Sequence, residues 1–408
     1  MPLRYPARAI FALAALTALP AVAQTPLPEV GPPSYGPRPS YLVDRLPEGD
    51  LKTTLAACLG ATPERTAFSI GHRGAPLMFP EHTVESNRAA ARMGAGILEC
   101  DVTFTADHEL VCRHAQNDLH TTTDILTTDL APTCATPFAP AADGQDAAAE
   151  CRTSEITLAE FRTLAPKMDS FDATATTPEA YQDGTAGWRT DLYAGDATLM
   201  THAESIALFD ALGADFTPEL KAPAVDMPHD GFSQQDYAQK MIDDYVAAGI
   251  DPSRVWPQSF QLDDVLYWIE NAPEFGAQAV YLVEWTDGFD EQDPETWAQD
   301  FAALRDQGVA YLAPSINMLM TVEDGRIAAS AYAKAARDAG LRLIAWTLER
   351  SGPLAEGGGW YFQSVNDVID DDADYLEALH VLAQDVGVEG VFSDWPATVT
   401  FYANCMGL

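Results

Sequence analysis

Short apolar, β-branched runs alternate along this chain with longer stretches whose apolar residues recur at helical spacing. The first pattern predicts strands at residues 67–71, 97–104, 215–219, 254–260, 277–283, 309–313, 341–347 and 389–393. The second predicts helices around 83–93, 202–212, 234–248, 262–271, 295–307, 327–339 and 373–385. Thr201 with Glu204, and Thr157 with Glu160, read as capping boxes, and Gly249 and Gly340 fall where a left-handed residue closes a helix. Strands and helices in this number and order predict an α/β fold, a (β/α)₈ TIM barrel, whose chemistry gathers at the C-terminal ends of the strands. His72, Asp101, Glu219, Ser259, Trp346 and Asp394 all sit at or just after such ends. An open doubly wound sheet would concentrate them at one switch point instead.

The alternation fails in two places. Residues 24–60 carry Pro26, Pro28, Pro32, Pro33, Pro37 and Pro39 and read as an extended arm ahead of a barrel domain spanning 61–408. Between His114 and Thr198 the strand–helix rhythm is lost. A structureless loop of that length is unusual in a compact domain, so an ordered insertion at about 115–198, after the second strand and its hairpin, is expected over the barrel mouth.

Ahead of the arm, Arg4 and Arg8, an apolar stretch from Ala9 to Leu19 and Ala21-Val22-Ala23 have the order of a signal peptide over residues 1–23. Export to the periplasm or the extracellular space is therefore expected. No apolar run reaches the length of a membrane span, and no Cys follows the cleavage site, so no stable membrane anchor is expected. All six cysteines lie in the mature part, without zinc-site spacing, which favours disulfides. Six cysteines admit fifteen connectivities. Element placement favours Cys100–Cys112 across the hairpin, Cys134–Cys151 within the insertion and Cys58–Cys405 between the chain ends.

A net charge of −38 excludes a nucleic-acid-binding surface and electrostatic docking on anionic lipid. It also means that an anionic ligand needs cations gathered locally in its pocket. Glu99 and Asp101, two apart on a strand, point to one face, and like charges there repel unless a cation bridges them. Glu219 on the next barrel strand completes a three-carboxylate oxygen site for Ca²⁺ or Mg²⁺. His72, between glycines, and His114, at the end of the returning hairpin strand 109–114, form an acid–base pair. Arg73 and Lys221 offer a fork and a point charge for a phosphate. Trp346 and Trp395 are candidate apolar walls. His108, His120, His202, His229 and His380 carry no motif.

These fragments, His72-Arg73-Gly74, Pro80-Glu81-His82-Thr83, Glu99-Cys100-Asp101, the turn at Thr105-Ala106-Asp107-His108, His114 and Glu219-Leu220-Lys221, resemble in order and content the glycerophosphodiester phosphodiesterases. The resemblance resumes at Gln258-Ser259-Phe260, Trp346-Thr347 and Ser393-Asp394-Trp395-Pro396. His82 stands where that family usually has Asn, and Ala115 where Asp often follows the His. The resemblance implies metal-dependent hydrolysis of a small glycerophosphodiester, such as glycerophosphocholine, to glycerol phosphate and an alcohol. Two other readings share parts of the pattern. A sphingomyelinase D-like phospholipase would share the barrel, the paired histidines and the metal carboxylates, and an exported solute-binding protein would explain export and a pocket but not two histidines beside three carboxylates.

Overall fold

The structure, a computed structural model, describes residues 30–408 together with Met1; otherwise the expected targeting segment lies outside the described residues, as do Pro26 and Pro28 of the arm. Eight parallel strands form a closed ring: β1 (Thr66–Gly71), β2 (Ala95–Phe104), β3 (Asp215–Leu220), β4 (Gln258–Ser259), β5 (Val280–Val283), β6 (Tyr311–Pro314), β7 (Arg342–Leu348) and β8 (Gly390–Ser393). Each bonds to the next, and β1 pairs with both β2 and β8, closing the TIM barrel. Ile70, Ile97, Val280, Leu282, Tyr311 and Ile344 fill its interior. A larger apolar cluster lies between the ring and its helices. Covering both faces buries β2 along all ten residues, its acidic Glu99 and Asp101 included.

The strand Leu110–Cys112 returns antiparallel along the end of β2. Beyond it comes the insertion, with short helices at Leu119–Thr122, Leu158–Phe161 and Pro178–Gln182 and a hairpin of Thr136–Ala139 with Ala148–Glu150. It has its own apolar core, including Leu119, Ile125, Phe161 and Tyr181. The expected capping boxes form at Thr157 and Thr201, and Gly249 closes the helix Gln234–Ala248 in the left-handed region.

Several expectations are corrected. The segment expected to be an extended arm folds into helices Arg38–Arg45 and Asp50–Cys58; Pro37 and Pro39 sit at the start of the first, where a missing N–H is harmless. The strand expected at 254–260 shrinks to β4. Only Phe301–Asp306 of the expected helix 295–307 is α-helical, because Asp300 caps it late. The expected helix 327–339 begins instead as a strand, Arg326–Ala329, paired with Met320–Glu323 around a turn in which Asp324 and Gly325 both have positive φ. Cys100–Cys112 and Cys134–Cys151 are disulfides, whereas Cys58 and Cys405 are free thiols. Those two thiols are neighbours, and burial followed by the hydrogen bond with Cys58 pushes the Cys405 thiol well up.

Candidate active site at the barrel mouth

The site lies in a cavity of about 670 Å³ at the C-terminal ends of the strands. Its first wall is the turn after β1. Arg73 has φ 53 and Gly74 φ 91, so the chain reverses within two residues. A Cβ on Gly74 would lie 2.4 Å from Ser86 Oγ and 2.6 Å from the Ser86 carbonyl carbon, so only glycine allows this approach. The turn is tied at both ends. The His72 N–H donates to the Ser393 carbonyl at 3.1 Å, and the His82 N–H donates to the Arg73 carbonyl at 3.0 Å. Thr83 then caps the helix Val84–Arg92, which fixes Glu81 and His82 beneath the turn.

Glu99 and Asp101 share a face of β2, and Asp101 is in register with Glu219 of β3. Oxygens of these three buried carboxylates lie within 4.8 Å of one another. Glu99 accepts from the Arg73 backbone N–H at 2.7 Å and from Gln258 Nε2 at 3.1 Å. Asp101 Oδ2 meets His82 Nε2 at 2.9 Å, while Oδ1 is buried with no partner. Lys221 Nζ stands 2.5 Å from Glu219 Oε1. Burial, Asp101 and Glu219 push the Glu99 carboxyl well above the usual range. Glu219 is raised to about 7 by burial and Asp101, against the pull of Lys221. For Asp101 burial is outweighed by His82 and Lys221, and its carboxyl is held low. A cluster in which one carboxyl is charged, two resist charging and one buried oxygen lacks a partner fits the oxygen set of a hard divalent cation.

His72 and His114 face the same cavity. His72 Nδ1 sits 2.5 Å from Asp394 Oδ1, and burial lowers the imidazole to about 4 although Asp394 pulls the other way. Burial, then Arg73 and Lys221, hold His114 well below its ordinary value. Arg73 Nη1 donates to Glu81 Oε2 at 2.8 Å. Its guanidinium and the Lys221 ammonium both reach the cavity.

Trp346 lines the cavity, anchored by its indole N–H on the Ala313 carbonyl at 2.9 Å and packed against Trp360 and Phe260. Trp395 does not line it. Its side chain borders a separate cavity of about 400 Å³ behind the loop after β7, which corrects the expectation of two tryptophan walls. Ser259 is spent on Asp264 at 2.8 Å. Sequence reasoning assigned no part to Glu81, Asp169 or Arg350, all of which line the cavity. Glu81 belongs to the Pro80-Glu81-His82-Thr83 motif and Arg350 follows a strand end, but nothing in the sequence marks Asp169.

Fixed cations beside acidic oxygens and imidazoles, at the mouth where a TIM barrel carries its chemistry, suit a substrate that is an anion with an alcohol to lose, as a phosphoric diester hydrolase requires. Residues 72–398 match the model of the glycerophosphoryl diester phosphodiesterase family, and the chain belongs to that family. It is similar, at 45% identity over 250 residues, to an extracellular protein of Arthroderma benhamiae; the match covers 59% of this chain and all of the relative. A crystal structure from Silicibacter pomeroyi, assigned to the same phosphodiesterases, shares the fold with a TM-score of 0.56 at 20% identity, covering 87% of this chain and 98% of that one. An Oleispira antarctica phosphodiesterase, solved with the product sn-glycerol-3-phosphate, superposes with a TM-score of 0.50 at 18% identity, covering 82% and 96%.

Proposed function

We propose that the protein is an exported, metal-dependent enzyme that hydrolyses glycerophosphodiesters such as glycerophosphocholine to glycerol phosphate and an alcohol. The observation that carries this reading is the cluster of Glu99, Asp101 and Glu219 in one cavity with two imidazoles and two cations. The three carboxylates would hold Ca²⁺ or Mg²⁺, which when bound supplies positive charge to a phosphoryl oxygen and acidifies a bound hydroxyl or water. Arg73 and Lys221 bind and orient the phosphate. Trp346 gives the glycerol moiety an apolar wall. Asp394 holds the Nδ1 edge of His72, leaving Nε2 for the reaction. Burial keeps a ring neutral and able to take the proton of the attacking oxygen, while the other must carry an extra proton, favoured by the negative charge of a bound phosphodiester, to give to the departing alkoxide. The product complex of the Oleispira phosphodiesterase supports glycerol phosphate as the product here. Export is supported by the signal-like N-terminus, by the two disulfides and by the extracellular relative. Among the described residues no helix is long and apolar enough to cross a membrane.

Turnover of glycerophosphocholine is the test. Excess EDTA should abolish it, and Ca²⁺ or Mg²⁺ should restore it. His72→Ala and His114→Ala should each lower kcat by at least about 10²-fold with the fold retained. Unchanged turnover in EDTA would remove the metal from this reading, and binding without hydrolysis would mark the pocket as a solute carrier's.

A further inference from the structure

We propose that Arg350 is a positioning residue that joins the insertion to the acid–base machinery, bracing Asp394 behind His72 through a chain of alternating charges. This rests on the reading of His72 as an acid–base group.

Arg350 leaves the barrel just after β7, and its two terminal nitrogens go to different carboxylates. Nη1 donates to Asp394 Oδ2 at 2.9 Å and Nη2 to Asp169 Oδ2 at 2.8 Å. Each carboxylate passes the chain on through its other oxygen. Asp394 Oδ1 meets His72 Nδ1 at 2.5 Å, and Asp169 Oδ1 accepts from Arg189 Nη2, also at 2.5 Å. Arg189 is itself anchored, donating to the Asp169 carbonyl at 3.0 Å and to the Pro76 carbonyl close behind the His72 turn. The series Arg189, Asp169, Arg350, Asp394, His72 thus crosses from the insertion to the loops after β7, β8 and β1.

This is not a loose surface network. Asp394 is 2% exposed, and a buried carboxylate with only a neutral imidazole beside it would be poorly compensated. The planar guanidinium fork of Arg350 supplies that charge and fixes a direction, which a flexible ammonium does less well. The backbone beneath it is also held. Glu349 has φ 70, a left-handed conformation that persists in a non-glycine residue only where its surroundings enforce it. Its buried carboxylate accepts from Arg38 Nε at 3.1 Å and from the Thr398 hydroxyl. Glu349 therefore sets the course of the chain at Arg350.

A carboxylate orients an imidazole only if it cannot rotate itself. With Oδ2 held by Arg350, Asp394 presents Oδ1 to His72 in one geometry. Because Asp169 shares the same guanidinium, a displaced insertion would withdraw one arm of that brace, so the seat of the insertion and the aim of His72 are linked.

Three variants of the full chain test this: Arg350→Gln, Arg350→Lys and Asp169→Asn. Each is measured for kcat and KM on glycerophosphocholine and, without substrate, for the low-field Nδ1–H proton resonance of His72. We expect Arg350→Gln to lower kcat about tenfold or more with KM changed less than about threefold, and to shift or broaden the resonance. Arg350→Lys should recover a large part of that loss, since one charged donor still reaches Asp394. Asp169→Asn should cost about threefold in kcat. A kcat for Arg350→Gln within about twofold of wild type, an unmoved resonance, or no recovery with Lys would each overturn the proposal. If Arg350→Gln does not fold, near-wild-type kcat in both other variants overturns it. The resonance is read whether or not glycerophosphocholine is turned over, so a wrong substrate and a wrong role for Arg350 give different results.

Discussion

Asp118, in the cavity wall, shows what burial does to a single group. Burial pushes its carboxyl up from 3.8 to about 7, with Arg113 opposing and Glu81 adding to the rise. Below about pH 4 the group is neutral whether the chain is folded or not, and burial costs nothing. Between there and pH 7 the unfolded chain ionises it while the folded protein does not, so stability falls as pH rises through that window. Asp118→Asn keeps an acceptor for the Ala115 N–H and removes the titration. Its gain in Tm over wild type, in chelator, should grow from pH 5 to pH 8; a constant difference would mean that Asp118 ionises freely. Legibility at this scale followed the chemistry. His72, Glu99, Asp101, His114 and Glu219 are marked by motif and by strand-end position, and the structure brings them together. Trp395 shows the limit of that argument, because a strand end fixes depth in the barrel but not facing. Its neighbour Asp394 points to His72, and Trp395 turns to the cavity behind.

Between β1 and the helix Val84–Arg92 the catalytic face depends on one reversal of the chain. Gly74→Ala would bring its methyl into Ser86 and force an L residue to φ 91, so either the turn or the helix start must move. We expect a loss of about 1–3 kcal/mol in stability and, because the Arg73 N–H orients Glu99, a weaker affinity for divalent metal in titration calorimetry. A variant with wild-type Tm and metal affinity would show that the turn relaxes without consequence. All eight barrel strands were legible because apolar, β-branched runs survive even where hydrogen bonding shortens the strand, as at β4. What escaped was punctuation. Asp324-Gly325 is a hairpin signal hidden inside a plausible helical period, and Pro37 and Pro39 read as extended chain although proline is also at home in a first helical turn. Composition alone does not separate those cases, whereas the neighbouring apolar face, with Leu42 and Val43 buried, does.

Across the whole molecule the cysteines divide by place. Two pairs staple the hairpin and the insertion, while Cys58 and Cys405 meet as thiols near the chain ends. Thiol titration of the denatured, unreduced protein should therefore find two per chain. In the native state alkylation of Cys405 should be slow, because burial keeps it protonated. A count of zero would mean that the ends are bridged in solution. The net charge of −38 surrounds a mouth that holds Arg73, Lys221 and Arg350. In the proposed reaction, glycerophosphocholine would arrive as a zwitterion of no net charge and feel little of that field. The glycerol phosphate that this reaction would leave carries a monoester group of about −1.5 to −2 at neutral pH, and the same field would drive it outward. Product inhibition by glycerol phosphate should accordingly be weak in dilute buffer and strengthen as salt shortens the Debye length towards about 8 Å, with KM for the zwitterion nearly constant. On that reading the acidic envelope would act as a valve, indifferent to what enters and repelling what leaves.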